Sequence, residues 1–332
     1  MIAKPLGFAG RAHQTASTRH GWSKALQLAP DLYPGVGGKR FRASLLQKAY
    51  EFAGGEGEAP VEIVDALEML HAGSLVLDDF EDGSLMRRDQ PALHRVIGPA
   101  RSVNAGNWMY FRALELAGTA YNDASSSVAL LRKFVEVARQ CHEGQAIDLS
   151  TRIDEVTPRQ AQATALAISR WKTGRLVSLA AWSGAQAAGA DRDTLAAAAA
   201  FGCRIGVCLQ MKNDLDELIA FSEGAERCDD LRNRRVSWPW AWAAHALPTR
   251  RFASMQRFIR RAKFRPEQLR SLACDLVEVS EQVGVSSVEK RIDLAIDRLD
   301  RATADATDVQ SLAGVANALR SHTTRHSPEA IR

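Results

Sequence analysis

Four long segments carry apolar residues at three- and four-residue spacing: PVEIVDALEML (60–70), SVALLRKFVEVARQCHEG (127–144), PRQAQATALAISRWKTGRLVSLAAWSG (158–184) and DRDTLAAAAAFGCRIGVCLQMKNDLDELIAF (191–221). That period places the apolar side chains on one face of a helix. No segment alternates with a period of two, so no sheet is expected. Breaks fall at clusters of Gly and Pro: YPGVGG (33–38), AGGEGEAP (53–60), IGPA (97–100) and FSEGAERCDD (221–230). There is no short repeat and no linker long enough to divide the chain. The pattern predicts an all-α fold, a single bundle over residues 16–321, with 1–15 and 322–332 loose at the ends. Sites in such bundles form in the interior, from side chains on facing helices.

Composition narrows the class without naming a function. Of 332 residues, 46% are apolar and 25% charged, the balance of a globular protein rather than a disordered one. No uninterrupted apolar run approaches the ~20 residues a transmembrane helix needs, so no transmembrane segment is expected. The polar, Gly-punctuated start MIAKPLGFAGRAHQTASTRHG does not read as a secretory signal. Five cysteines, Cys141, Cys203, Cys208, Cys228 and Cys274, form no CxxC pair. Reduced thiols in a cytoplasmic protein are the simplest account. A net charge of +4 gives no reason to expect nucleic acid as a partner. One segment, TRRFASMQRFIRRAKFRPEQLR (249–270), is locally basic. It reads as a solvated helix face, with an acidic surface such as a membrane as the alternative.

The chemistry concentrates where apolar helices run into acids. In LDDFED, Asp78 and Asp82 are four apart and share a helix face with Asp79 beside them. Like charges at that spacing repel and need a cation, and carboxylate oxygens suit a hard ion such as Mg²⁺. A second patch, Asn213, Asp214 and Glu217, repeats the spacing at the end of another long helix. Cations surround both: Lys39, Arg40 and Arg42 in GGKRFR, Arg87 and Arg88 in MRRD, Lys172 in RWKTGRL, and Arg235 in DDLRNRRVSWP. Arginine forks onto phosphate oxygens and lysine acts as a point charge. The set suits a ligand with a polyanionic head and an oily tail.

On these motifs the chain resembles the trans-isoprenyl diphosphate synthases of the polyprenyl synthetase family, and among them the geranylgeranyl diphosphate synthases. GGKRFR matches the family's GGKRxR, HAGSLVLDDFED its HxxSLxxDDxxD, and RRDQPALH its RRGxPxxH. GQAIDL, KTG and GCRIGVCLQMKNDLDE follow in the family's order, over roughly residues 30–300. The resemblance implies an isoprenoid-synthase bundle around a central apolar cavity, a homodimer, and condensation of isopentenyl diphosphate with dimethylallyl, geranyl or farnesyl diphosphate. It assigns Mg²⁺ to Asp78, Asp79, Asp82, Asn213, Asp214 and Glu217. It assigns isopentenyl diphosphate to Lys39, Arg42, His71 and Arg88, and the allylic diphosphate to Arg87, Lys172, Thr173, Gln210 and Arg235.

Several positions depart from the family. Asn213 stands where the second motif usually has an acid, Leu209 where an aromatic precedes the glutamine, and Arg235 where lysine is usual. A class I terpene cyclase and a non-catalytic subunit are therefore kept as alternatives. For product length, the resemblance makes the residues before Asp78 the floor of the tail pocket. Gly73 and Ser74 are too small to block it, with helix packing as the alternative reason for their size, and Met69 and Leu70 would close it a turn further on. Geranylgeranyl diphosphate, C20, is the expected product, with farnesyl diphosphate or a longer chain as alternatives.

Overall fold

The computed structural model describes residues 41–87, 90–262, 265–303 and 309–323. The expectations for the ends of the chain, and those for Lys39, Arg40 and Arg88, fall outside the described residues. Helices account for nearly all of the structure: α1 Phe41–Phe52, α2 Val61–Asp82, α3 Leu93–Val96, α4 Pro99–Gly118 and α5 Ala124–Ser150. After the short 3₁₀ turn Ile153–Glu155 come α6 Pro158–Ile168, α7 Arg175–Ala187, α8 Arg192–Glu223 and α9 Asp229–Asn233. The last four are α10 Trp238–Ala246, α11 Thr249–Arg261, α12 Pro266–Ala302 and α13 Val309–Thr323. One exception to the all-helical expectation is a small antiparallel ribbon, β1 Met86–Arg87 with β2 Gln90–Pro91.

The helix ends obey local chemistry. Asp191 caps α8 by accepting from the Thr194 N–H (2.8 Å), and Asp123 caps α5 through the Ser126 N–H (2.7 Å). Thr157 and Gln160 form a capping box at α6, with Pro158 in the first turn, where its missing N–H costs nothing. Gly83 ends α2 in the left-handed conformation, at φ 62°.

α8 lies between α7 and α12 and forms the spine of the main core. One stretch of it, with mean hydropathy 1.4, is long and apolar enough to cross a membrane by length and composition, although the sequence shows no uninterrupted apolar run of that length. Buried Phe201, Ile205 and Met211 explain that composition, since the helix packs against neighbours on two sides.

α2 packs along α4. Their crossing is close because Gly73 meets Gly106: a Cβ on Gly73 would lie 3.0 Å from the Gly106 carbonyl oxygen and 3.1 Å from Met109 Cβ. This corrects the reading of Gly73 as pocket floor. Its missing side chain makes room for a helix. Met69, half-buried between the two apolar clusters, also lies off the cavity, whereas Ser74 and Leu70 line it.

Candidate active site

Between α2, α5, the α6–α7 junction and α8 lies a cavity of about 950 Å³. Each helix gives it a stripe at three- and four-residue spacing: His71, Ser74, Asp78 and Asp82 from α2; Ala138, Cys141, Gln145 and Asp148 from α5; Gln210, Asn213, Asp214 and Glu217 from α8. The α6–α7 junction is the wide turn Ser169–Gly174, a π-helical insertion of the kind often found at functional sites. Lys172 and Thr173 enter the cavity from this turn. Gly144 permits it, because a Cβ there would stand 2.6 Å from the Lys172 backbone nitrogen.

The expected residues meet in defined pairs. Lys172 Nζ donates to Asp78 Oδ1 (2.7 Å) and Asp148 Oδ2 (3.1 Å). Gln145 Nε2 donates to Asp78 Oδ1 (3.0 Å) and Glu81 Oε2 (2.7 Å). Arg235 Nη2 donates to Asp82 Oδ1 (2.6 Å), and its Nη1 donates to the Asp148 carbonyl (2.8 Å). On the opposite wall, Gln210 Nε2 and the Trp238 N–H donate to the two oxygens of Asp214, at 2.6 and 2.9 Å, and Thr173 Oγ1 donates to Gln210 Oε1. Glu217 accepts from the Asp229 N–H (2.8 Å). Arg42 Nη1 lies 2.9 Å from His71 Nε2 at another part of the cavity wall.

Asp79 departs from expectation. It is 1% exposed, does not line the cavity, and both its oxygens accept from Arg87. Successive residues of a helix point about 100° apart, so Asp78 and Asp82 can share a face that Asp79 leaves. Asp79 thus anchors Arg87, at the start of the β-ribbon, rather than facing a metal.

Gln145 and Asp148 of GQAIDL, and Asp229 and Asp230, also line the cavity, roles not assigned to them from the sequence. Their signal was there, in a Gln and an Asp three apart on one helix face and in an acid pair just after the second patch. Arg232 Nη2 (2.5 Å) and Asn233 Nδ2 (3.0 Å) donate to the Asp82 carbonyl, closing the end of α2. Only the fold brings them there.

Among the described residues, no three acidic, His or Cys side chains are arranged to hold a metal ion by themselves. The charge pattern nonetheless fits a hard divalent cation whose shell is completed by water and phosphate oxygens. Burial alone would raise Asp78, but Lys172, Arg87 and the Gln145 hydrogen bond hold it below the usual carboxylate range. Burial, and then the charge of Asp78, push Asp82 up to about 6 despite Arg235. Burial pushes Asp214 up to about 7, with Glu217 and Asp148 adding to it, and Asp230 rises well above the usual range for the same reasons. Lys172, which burial would lower, is held above its ordinary value by Asp78, Asp148 and Asp82. The pocket carries more buried negative charge than its own cations offset.

Asp82 and Asp214 keep protons in the folded chain that the unfolded chain releases near pH 4. From these groups, the metal-free protein loses stability as pH rises from about 4 to about 7, because the folded state binds more protons there. A divalent cation bound at these carboxylates would displace those protons. Mg²⁺ should therefore raise Tm more at about pH 8 than at about pH 5. Differential scanning calorimetry checks this, and an equal rise at both pH values would contradict it.

Comparison with known proteins places this geometry. The family model described as Polyprenyl synthetase matches residues 24–274. Geranylgeranyl pyrophosphate synthase 2 of Zymoseptoria tritici is 27% identical over 213 residues, which is 64% of this chain and 62% of that protein. Geranylgeranyl pyrophosphate synthase of Eremothecium gossypii is 34% identical over 125 residues, 37% of this chain and 39% of that protein. The chain thus spans less than two thirds of the length of either relative. A crystal structure of polyprenyl synthase from Caulobacter crescentus CB15, complexed with calcium and isoprenyl diphosphate, superposes with a TM-score of 0.73 at 23% identity. It covers 92% of this chain and 94% of that one, a likeness of fold. The match over most of the chain, with the acidic walls and cations of the cavity, settles the family: the chain belongs to the polyprenyl synthetase family.

Proposed function

We propose that this chain is a Mg²⁺-dependent chain-elongating prenyltransferase that condenses isopentenyl diphosphate with an allylic diphosphate and forms geranylgeranyl diphosphate. One observation carries the reading. A single cavity joins an ionic wall, with Asp78, Asp82, Lys172 and Arg235, to a less polar one formed by Leu70, Ser74, Tyr110, Ala138 and Leu176. That suits a diphosphate head on an isoprenoid tail.

Asp78 and Asp82, with Asn213, Asp214 and Glu217 across the cavity, would hold the cations, which when bound draw charge onto the leaving diphosphate. Lys172 lies between the carboxylates of Asp78 and Asp148, and Arg235 between the Asp82 carboxylate and the Asp148 backbone carbonyl, both placed to pass to phosphate oxygens as substrate arrives. Arg87 is aimed by Asp79. Arg42 and His71 form the described half of the isopentenyl diphosphate set, with Lys39 and Arg88 completing it. Thr173 and Gln210, hydrogen-bonded to each other on the cavity wall, would supply oxygen dipoles near the place where positive charge develops in the allylic fragment. The apolar wall keeps water from that fragment.

The names of relatives support C20, since several are geranylgeranyl diphosphate synthases. Geometry supports the same length. Ser74, one turn before Asp78, leaves the cavity open, and Tyr110 packs edge-to-face on His142 (5.3 Å between centroids) along the wall. Ser74→Phe should shift the product towards C15 while the enzyme stays active. Chromatographic sizing of the product made from Mg²⁺, labelled isopentenyl diphosphate and each primer reads this. A wild-type product other than C20, or an active variant with an unchanged product, would dismiss the floor assignment.

Two features bear on alternatives. Asn213, together with relatives named copalyl diphosphate synthase and ophiobolin F synthase, favours a cyclase as the second reading. Arg42 paired with His71 in the cavity argues for elongation, because a cyclase has no second diphosphate to bind. The working unit is read as a homodimer, supported by the exposed Phe111 on α4 and Val128 and Val135 on α5. A monomer mass in sedimentation at micromolar concentration would overturn the dimer.

A further inference from the structure

Helix α11 is fixed to the bundle by one face and leaves a basic face whose outer arginines make no ion pair among the described residues. Phe252, Met255, Ile259 and Ala262 are buried. Gln256 Nε2 donates to the Ile153 and Val156 carbonyls, at 2.6 and 2.7 Å. Opposite that buried face, Arg250, Arg257 and Arg261 follow one another at seven- and four-residue spacing, all exposed. They span about 16 Å of helix. Phe258, 40% exposed, stands beside this stripe with Arg251 on its far side.

The sequence supplies no internal counter-charge, since no Asp or Glu occurs between Leu231 and Pro266. Among the described residues, the one ion pair made by an α11 arginine is Arg260 with Asp154 (3.0 Å). That pair faces the bundle. Asp154 also binds Arg234 (2.9 Å), and the Ile153 N–H donates to the Arg234 carbonyl (2.9 Å). The next residue, Arg235, reaches Asp82 in the cavity. The basic helix is therefore tied to the rim of the cavity through Asp154, which pairs with both Arg260 and Arg234, the neighbour of Arg235.

We propose that α11 is a docking surface for an anionic lipid bilayer. Exposed arginines in an acid-free stretch supply attraction to acidic headgroups, and Phe258 supplies an apolar side chain that can enter the interface. A nucleic acid would use the arginines equally well but offers a lone phenylalanine no apolar phase. A lipid surface accounts for both. The binding needs no substrate, so its test does not depend on the proposed reaction.

Sedimentation with vesicles of phosphatidylcholine, alone or mixed with phosphatidylserine, decides the matter. Wild-type protein should sediment with the mixed vesicles and not with the neutral ones, and added salt should release it. The triple variant Arg250→Glu, Arg257→Glu, Arg261→Glu should bind on the order of a hundredfold more weakly. Phe258→Ser should weaken binding without changing its salt dependence. Circular dichroism melting establishes that the variants fold, and the corresponding triple Gln variant carries the same test should charge reversal unfold the helix. No binding of wild-type protein to mixed vesicles, equal binding by a folded triple variant, or tighter binding to single-stranded RNA than to vesicles would overturn the proposal.

Discussion

Asp78→Ala should lower turnover on the order of a thousandfold or more while leaving the fold intact. The carboxylate sits on the last turns of α2, half-buried, with Lys172 and Gln145 on one of its oxygens. Removing it orphans neither neighbour. Lys172 keeps Asp148 at 3.1 Å, and Gln145 keeps Glu81 at 2.7 Å. No large apolar volume is emptied, so stability should change little. What disappears is one of the acids that α2 turns to the cavity, where the proposed reading puts a cation and its diphosphate. Steady-state rates with Mg²⁺, beside circular dichroism melting, separate the two effects. A folded variant that kept most of its rate would show that the cation does not sit on this face of α2.

Gly73→Phe should fail for a mechanical reason. The side chain would be built into the crossing of α2 and α4, where even a Cβ meets the Gly106 carbonyl oxygen at 3.0 Å. A backbone oxygen can retreat only if the helix moves. Overpacking costs about 1–3 kcal/mol, and a ring driven against a backbone oxygen lies at the upper end of that range. The displaced element is the helix whose next turn carries Asp78. Chemical denaturation should show a large drop in midpoint, and activity should fall with it. A stable Gly73→Phe enzyme making C15 product would mean that Gly73 faces the tail after all.

The contrast between Gly73 and Ser74 shows where sequence reading stops. Spacing identified the helix and placed small residues one turn before Asp78. It could not say which of two neighbours, about 100° apart around the axis, faced the cavity. That is decided by the partner helix, whose Gly106 lies 33 positions along the chain and carries no mark as a contact. The same limit explains Asp79, which joined the acidic motif by position but turns away to Arg87. The π-helical turn at Ser169–Gly174 was equally invisible, because one extra residue in a turn leaves no compositional trace.

Other parts were legible because local chemistry dictates them. All four periodic segments lie in helices, although α2 runs on to Asp82 and 158–184 is α6 and α7 joined by the π-helical turn, and Thr157, Asp123 and Asp191 mark three of their starts. Asp78, Asp82, Lys172, Asp214, Glu217 and Arg235 come together in one cavity. Paired acids four apart, at the ends of apolar helices, have little else to do. Asn213 lines the cavity with them, so the substitution in the second motif lies within the site itself.

The most direct test of the account is stoichiometric. With Mg²⁺, an allylic primer and isopentenyl diphosphate, one diphosphate should be released for each isopentenyl diphosphate consumed, and chelation of the metal should stop both. Diphosphate released without consumption of isopentenyl diphosphate would make the protein a cyclase. No release under any primer would make it a non-catalytic member of the family, and either result would contradict the elongation reading.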